Sequence, residues 1–206
     1  MEILEPFLEL IKFERKETLP QTRAVFRALT EAIIPGALDL HIDQYPIWAL
    51  DHLFYLTVMK VGVTFPLANA TAEMLNIAAR QLIDQGGNRE AVNLGPGADD
   101  GAFTALEPVD RLRTLALLED LQVDPAGLPI PFRYDPSFIM SVTGILALLT
   151  AIGCYSEWPG YGETRLKNPD KRKLEQFPPA WTMVGYPGPA KGYHALRGNP
   201  VNKFTE

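Results

Sequence analysis

The sequence predicts an all-α protein, a bundle of about five or six helices followed by a long irregular tail rich in Gly, Pro and aromatic residues. In five segments the apolar residues recur at helical spacing between Pro or Gly residues. No stretch of six residues alternates apolar and polar side chains between turn signals, as an amphipathic strand would. The 206 residues are 47% hydrophobic and 21% charged, which is the composition of a chain that buries a core.

The first two predicted helices cover residues 20–34 and 45–61. In the first, apolar residues recur at steps of three and four, and Pro35-Gly36 ends the pattern. The second tolerates Pro46 in its first turn and has apolar side chains around most of its circumference. We therefore expect the second helix to be deeply buried.

The third predicted helix runs from Pro66 to the Gly86-Gly87 pair, and the fourth covers residues 107–121. Glycine ends helices because it adopts the left-handed conformation without steric cost. Pro108 suits the first turn of the fourth helix, since the first amide groups of a helix have no partner within it. Residues 88–104, between the two helices, are predicted to form a long loop.

The fifth segment, residues 137–155, contains no charged residue and nearly reaches the roughly 20 residues needed to cross a bilayer. Its serine, threonine and glycine residues lower its hydropathy, and no Lys or Arg cluster lies close to either end. These features favour the central helix of a bundle, in which small residues let neighbouring helices approach. A single membrane span is the alternative.

The composition changes at Tyr155. Residues 155–206 carry eight Lys or Arg and five Asp or Glu, a net charge of +3, whereas residues 1–154 carry 11 and 20, a net charge of −9. We expect an acidic helical body at 1–154 and an extended wrap at 155–206 that packs on it, as one domain overall.

Charge and cysteine content restrict the partners. A net charge of −6 argues against nucleic acid, whose binding requires clustered Lys and Arg. The single cysteine, Cys154, excludes an internal disulfide and a cysteine zinc cage, and it is expected to be a small buried hydrophobe, with a disulfide to a partner chain as the alternative. The first residues lack the pattern of a secretory or twin-arginine leader, which by itself indicates a cytoplasmic protein.

The sequence contains none of the familiar catalytic or cofactor motifs for hydrolases, zinc proteases, di-iron bundles or nucleotide-binding proteins. The alternating Asp39, His41 and Asp43, with Glu31 nearby, are a candidate metal site, although such a loop more often carries solvated turn residues. A stand-alone metal-binding protein or enzyme using these residues is therefore the alternative function. The preferred interpretation is a partner of a catalytic protein.

The tail combines turns with aromatic residues. Pro187 and Gly188 predict a type II turn over residues 186–189, and the same reasoning predicts a turn at Pro159-Gly160. Such turns hold neighbouring rings rigidly, and Trp, Tyr and Arg dominate binding hot spots. Some rings are expected to fill grooves of the protein's own bundle and others to face a larger subunit. The candidate partner-binding residues are Trp158, Tyr161, Arg165, Trp181, Tyr186, Pro187, Gly188, Tyr193 and Arg197.

The segments AIIPG, residues 32–36, and WTMVGYPGPAKGYHALRG, residues 181–198, resemble the gluconate 2-dehydrogenase subunit 3 family. The resemblance implies a non-catalytic helical subunit that binds a large FAD-dependent sugar or sugar-acid dehydrogenase of the glucose-methanol-choline type. A multihaem cytochrome c is often a further subunit of such complexes. It also implies a cell-envelope or periplasmic location by co-export, although small subunits of the family commonly bear the leader that is not found here. FAD would belong to the partner, no cofactor to this chain, and no catalytic residue transfers.

Overall fold

The computed structural model describes residues 18–36, 40–52, 66–93, 95 and 101–188. These residues form helices, turns and irregular segments without a strand, so the all-α prediction is confirmed. Contacts divide the chain into two compact units, Met1–Cys154 and Tyr155–Glu206. We call them the body and the C-terminal unit and describe each by itself.

The five predicted helices are present where the structure describes them, although residues 53–61 of the second lie outside the described part. A short helix, Ala102–Ala105, begins within the loop predicted at residues 88–104, so the loop prediction is wrong from residue 102 onward. Two 3-10 turns, Pro125–Gly127 and Phe132–Tyr134, precede the last helix of this region. The helices are α1 Pro20–Ile33, α2 Gln44–His52, α3 Ala68–Asp84, α4 Ala102–Ala105, α5 Pro108–Glu119 and α6 Pro136–Tyr155.

Helix α3 ends at the predicted glycine pair. Gly86 has φ +64°, and its amide donates to the carbonyl of Ile83 at 2.9 Å. The Gly87 amide donates to the carbonyl of Leu82, also at 2.9 Å. This pair of bonds is a Schellman motif, which satisfies the last carbonyl groups of the helix.

Helix α5 ends with the same two hydrogen bonds but without a glycine. Leu121 has φ +53°, and its amide donates to Leu118 at 3.2 Å, while that of Gln122 donates to Leu117 at 2.8 Å. A left-handed conformation costs a residue with a Cβ about 1–2 kcal/mol. The end of α5 is therefore strained where that of α3 is relaxed.

The core of the body lies where α1, α3 and α5 pack against one another. Their apolar stripes meet there and are joined by one face of α6 and by the short helix α4. Removal of these side chains from water is the main stabilising contribution to the body. Among its largest fully buried side chains are Phe26, Leu29, Met74, Leu75, Phe103, Leu106 and Leu118.

Two buried charged residues at the start of α5 hold neighbouring segments. The Arg111 guanidinium donates to the Glu31 carboxylate at 3.0 Å and to the carbonyl of Thr104 at 3.1 Å. The fully buried Asp110 carboxylate accepts the Arg89 amide at 2.9 Å. Both arrangements satisfy polar groups that would be costly to bury alone. Glu31, named above as a possible metal ligand, is thus paired with an arginine.

Helix α6 has two apolar faces with different environments. One face, which includes Val142, Leu146 and Leu149, joins the core of the body. The opposite face is exposed, so the expectation of a helix at the centre of the bundle is wrong. Among the described helices, α6 alone is long and apolar enough to cross a membrane, with a mean hydropathy of 2.0, which is weak support for a span. The absence of a span stays a prediction.

Cys154 is buried, as predicted, and packs with Ile42 near the end of α6. Burial raises the pKa of its thiol above the ordinary value. A thiol of this kind stays protonated near neutral pH and is a poor nucleophile. Cys154 therefore acts as a small apolar side chain in this fold.

Candidate docking surface of the C-terminal unit

The described part of the C-terminal unit contains two 3-10 segments, Trp158–Thr164 and Pro169–Lys171, and one short helix, α7, Pro179–Met183. Irregular segments join these short helices, and the extended wrap on the body stays a prediction. Helix α7 includes residues 181–183, at the start of the Gly- and Pro-rich segment 181–198. Proline occupies the start of α7, where its missing amide costs nothing.

Gly160 lies in close contact with residues 174–178 of the same unit. Its carbonyl accepts the amides of Glu175 at 2.8 Å and Gln176 at 3.1 Å. A methyl group on Gly160 would lie 2.8 Å from the Gln176 carbonyl oxygen, so only glycine fits. The predicted turn at Pro159-Gly160 forms as 3-10 helix, and the left-handed residue is Gly162, at φ +49°.

Side chains reinforce this contact. The Thr164 hydroxyl accepts the Lys173 amide at 3.0 Å and lies 2.7 Å from the carbonyl of Tyr161. The Glu175 carboxylate accepts the Glu163 amide at 2.8 Å. These polar bonds, rather than a large apolar core, fix the segment around residue 160 against residues 173–176.

The Arg172 side chain packs against two aromatic rings of the unit. The Arg172 guanidinium lies 5.1 Å from the ring centre of Trp158 and 6.0 Å from that of Tyr161. The Tyr161 hydroxyl donates to the Glu157 carboxylate at 2.7 Å. Burial, followed by this hydrogen bond, raises the pKa of Tyr161 to about 12.

Helix α7 ends with a complete Schellman motif. Gly185 has φ +69°, and its amide donates to Thr182 at 3.2 Å, while the Tyr186 amide donates to Trp181 at 2.8 Å. The rings of Trp181 and Tyr186 meet edge to face at 4.9 Å, which is the apolar contact that accompanies this motif. Gly185 therefore turns the chain and fixes the position of Tyr186.

Trp181 is the centre of an aromatic group. Phe177 meets it edge to face at a centroid distance of 5.2 Å, and Tyr186 does so at 4.9 Å. Gly188 has φ +87°, as expected for the third position of the predicted type II turn, although Pro189 lies outside the described residues. A methyl group on Gly188 would approach both Phe177 and Trp181 within 3.6 Å.

Large apolar side chains around this group face solvent. Met183 and Val184 are each 71% exposed, and Phe177 and Tyr186 are about half-exposed. No charged residue occurs between positions 176 and 188. Clustered exposure of this kind, without charge, is typical of surfaces that bind another protein. We call Phe177, Met183, Val184 and Tyr186 the docking patch.

The structure separates the predicted partner-binding residues into three groups. Trp158, Arg165 and Trp181 are buried, with 1%, 8% and 9% exposure, so their side chains support the unit and do not present a surface. Gly188 is also buried, Tyr161 is half-buried, and Tyr186 and Pro187 are exposed. Tyr193 and Arg197 lie outside the described residues. The roles of all nine residues in partner binding stay predictions.

Sequence reasoning missed three of the four residues of the docking patch, namely Phe177, Met183 and Val184. One signal was present, because Gly185 follows Trp181 at the spacing of a helix stop. A short helix ending there places Met183 and Val184 in the last turn, beside the tryptophan. Their exposure, however, depends on tertiary packing.

The alternative metal site lies only partly within the described residues. In the described part of the chain no three His, Cys, Asp or Glu side chains are grouped as metal ligands would be. His41 is exposed and Asp43 is buried, whereas Asp39 lies outside the described residues. The function based on Asp39, His41 and Asp43 stays an untested alternative.

Comparisons of the chain with protein-family models, curated proteins and solved structures find no significant match. The resemblance of residues 32–36 and 181–198 to the gluconate 2-dehydrogenase subunit 3 family therefore stays a prediction.

Proposed function

We propose that this protein is a non-catalytic accessory subunit that binds and stabilises a large FAD-dependent sugar or sugar-acid dehydrogenase of the glucose-methanol-choline type. The docking patch is the observation that carries a binding role. The class of partner comes from the resemblance at residues 32–36 and 181–198. Flavin and substrate chemistry would belong to the large subunit, and a cytochrome c would be a further member of the complex.

The composition and rigidity of the docking patch support a role in association. Complete burial of a Val or Met side chain is worth about 1.5–3 kcal/mol. Because Met183 and Val184 are 71% exposed in the free chain, their burial together would contribute roughly 2–4 kcal/mol. This corresponds to about 30-fold to 1,000-fold in affinity.

Preorganisation adds to this contribution. The Schellman motif at Gly185 and the ring contacts of Trp181 fix the backbone that carries the patch before any partner arrives. A surface already fixed loses less conformational entropy on binding than a flexible tail does. Trp181 is thus interpreted as the support of the surface and Tyr186 as one of its contacts.

Several polar side chains of the C-terminal unit form hydrogen bonds within the unit. The hydroxyl of Thr164 and the carboxylates of Glu157 and Glu175 are engaged in hydrogen bonds within the unit. Groups engaged in this way hold the fold of the unit together. We therefore assign these residues a structural role.

The test is co-expression of the tagged chain with the open reading frames next to its own, followed by affinity purification and dye-reduction assays with sugars and sugar acids. The expected result is a yellow complex with a large flavoprotein that reduces the dye. Val184→Asp should weaken the affinity for the flavoprotein by at least about 30-fold and so reduce its recovery, since it places a charge in the apolar patch.

Val109→Asp is the matched control, because Val109 is an exposed valine of α5 in the body. It should leave recovery unchanged. Failure to recover any flavoprotein, equal loss with both variants, or sugar oxidation by the purified chain alone would contradict the proposal.

A further inference from the structure

We infer that the outward face of α6 is a self-association site, at which two copies of this chain pair helix against helix with their closest approach at Gly144. This inference concerns the body. It is independent of the docking patch and of the proposed dehydrogenase partner.

The exposed positions of α6 form one continuous strip. Between residues 137 and 152 they fall within an arc of about 140° at 100° per residue. The strip contains no charged residue, and Leu148, at 56% exposure, is its most exposed large side chain. Its members are Ser137, Met140, Ser141, Gly144, Ala147, Leu148 and Ile152.

Other long helices of the described body treat their outer faces differently. The exposed positions of α1 include Arg23 and Arg27, and those of α3 include Glu73 and Arg80. Charged residues on the outer face are the usual pattern for a helix that stays in contact with water. The outer strip of α6 instead has the composition of a buried helix face.

Two glycines of α6 provide an independent observation. A methyl group on Gly153 would lie 2.8 Å from the Tyr45 Cβ and 3.2 Å from Ile42, so packing within the chain explains that glycine. A methyl group on Gly144 would meet nothing within 4 Å. Glycine in a helix interior is less favourable than alanine, and nothing among the described residues compensates for it at position 144.

The close approach of another helix accounts for Gly144. Helix axes lie 8–10 Å apart depending on the side chains at their contact, and small residues permit the shortest distances. Along the helix axis, the small residues Gly144 and Ala147 lie between two groups of larger side chains. Met140 lies towards the amino end, and Leu148 and Ile152 lie towards the carboxyl end. The surface thus has a shallow waist with larger side chains at both ends.

This shape and charge favour a second copy as the occupant. A two-fold interface requires a patch that is complementary to itself, and two such helices crossing at their waists meet this requirement. The body has a net charge of −9, so charged groups at a contact between two bodies would add to their mutual repulsion, and this strip contributes none. The same negative charge disfavours an anionic membrane surface.

The size of the strip predicts a weak dimer. Fifteen steps of 1.5 Å give a length of about 23 Å, and a helix is about 10 Å wide. Two such strips cover roughly 500 Å², which is below the roughly 1,000 Å² of stable interfaces. Dimers are therefore expected only at micromolar or higher concentration.

The test is sedimentation velocity of the full chain alone from about 1 to 300 μM. The expected result is a shift from one copy of 22.9 kDa to twice this mass as the concentration rises. Leu148→Glu, which places a charge in the uncharged strip of each copy, should raise the dissociation constant at least tenfold. Gly144→Gln should do the same by filling the waist, without lowering helicity in circular dichroism.

Leu112→Glu is the matched control, because Leu112 is a leucine of α5 with 43% exposure. It should leave the dimer unchanged, and so should Val184→Asp in the docking patch. A wild-type chain that stays monomeric to 300 μM would overturn the inference, as would Leu148→Glu and Gly144→Gln variants that still dimerise.

Two further outcomes identify other occupants and also overturn the inference. One is a monomer that dimerises only after deletion of residues 1–17, which would identify that segment as the cover. The other is a monomer that floats with phosphatidylcholine vesicles and loses this binding on Leu148→Glu, which would identify a membrane surface.

Discussion

The body and the C-terminal unit are stabilised in different ways. The body buries apolar stripes of helices 12 to 20 residues long, whereas the longest α-helix described in the C-terminal unit has five residues. Hydrogen bonds around Gly160 and the ring contacts of Trp181 hold that unit together. This difference indicates that a small unit fixed by its backbone can leave large apolar side chains, such as Met183 and Val184, exposed and available for binding.

The largest effect is expected in the core of the body. Phe26→Ala removes a fully buried ring from α1 and should lower the free energy of unfolding by about 3–5 kcal/mol. Urea denaturation followed by circular dichroism measures the change, at low protein concentration so that self-association does not contribute. Leu112→Ala, at an exposed position of α5, should cost less than about 1 kcal/mol. Equal losses for both variants would contradict the assignment of the core.

In the C-terminal unit the largest effect is expected at Gly160. Gly160→Ala forces a methyl group against the Gln176 carbonyl and should destabilise this unit by about 1–3 kcal/mol. Limited proteolysis should then cleave within residues 158–178 at a higher rate, while the melting temperature of the body stays unchanged. Gly127→Ala, whose methyl group would be at an ordinary 3.9 Å from Ile77, should have neither effect. Parallel loss of the body would show that the two units do not unfold separately.

A smaller effect of opposite sign is expected at the end of α5. Leu121→Gly relieves the left-handed strain of about 1–2 kcal/mol. Part of this gain is offset by the added freedom of the unfolded chain, about 0.4–1 kcal/mol, so stability should rise by roughly 0.5–1 kcal/mol. The same replacement inside the helix, Leu112→Gly, should lower stability by about 1 kcal/mol. Thermal unfolding distinguishes them, and a loss at both positions would contradict the strain at Leu121.

The smallest effect concerns pH. Because the pKa of Tyr161 is raised to about 12, the folded protein keeps this proton at pH values where the unfolded chain, with an ordinary pKa near 10, has lost it. Its contribution to stability is complete below pH 10 and is lost as the pH rises towards 12. Absorbance at 295 nm should show a late-titrating tyrosine that Tyr161→Phe removes.

Glu157→Gln is the companion variant for this titration. It removes the charged acceptor of the Tyr161 hydroxyl, so the pKa of Tyr161 should fall partway to its ordinary value. Burial, the larger cause, would remain. A titration of Tyr161 near pH 10 in the wild-type chain would contradict the described environment.

Sequence reasoning was most successful where local signals and packing agree. The periodic apolar residues of α1, α3 and α5 and the stop at Gly86 depend on interactions within a few residues, so the sequence predicts them. The conformation at Gly160 depends on residues 174–178, and the burial of Trp158 and Trp181 depends on tertiary packing. The sequence therefore does not predict either feature. For the same reason, aromatic residues predicted to contact a partner include two that support the unit.

The most direct measurement for the central claim is hydrogen exchange with mass spectrometry, on the chain alone and with its co-purified flavoprotein. We expect that the Tyr186 amide is already protected in the free chain by its bond to Trp181, and that complex formation further slows exchange in residues 177–187. Complete exchange of this segment in the free chain, or new protection confined to the body, would contradict a preformed docking patch.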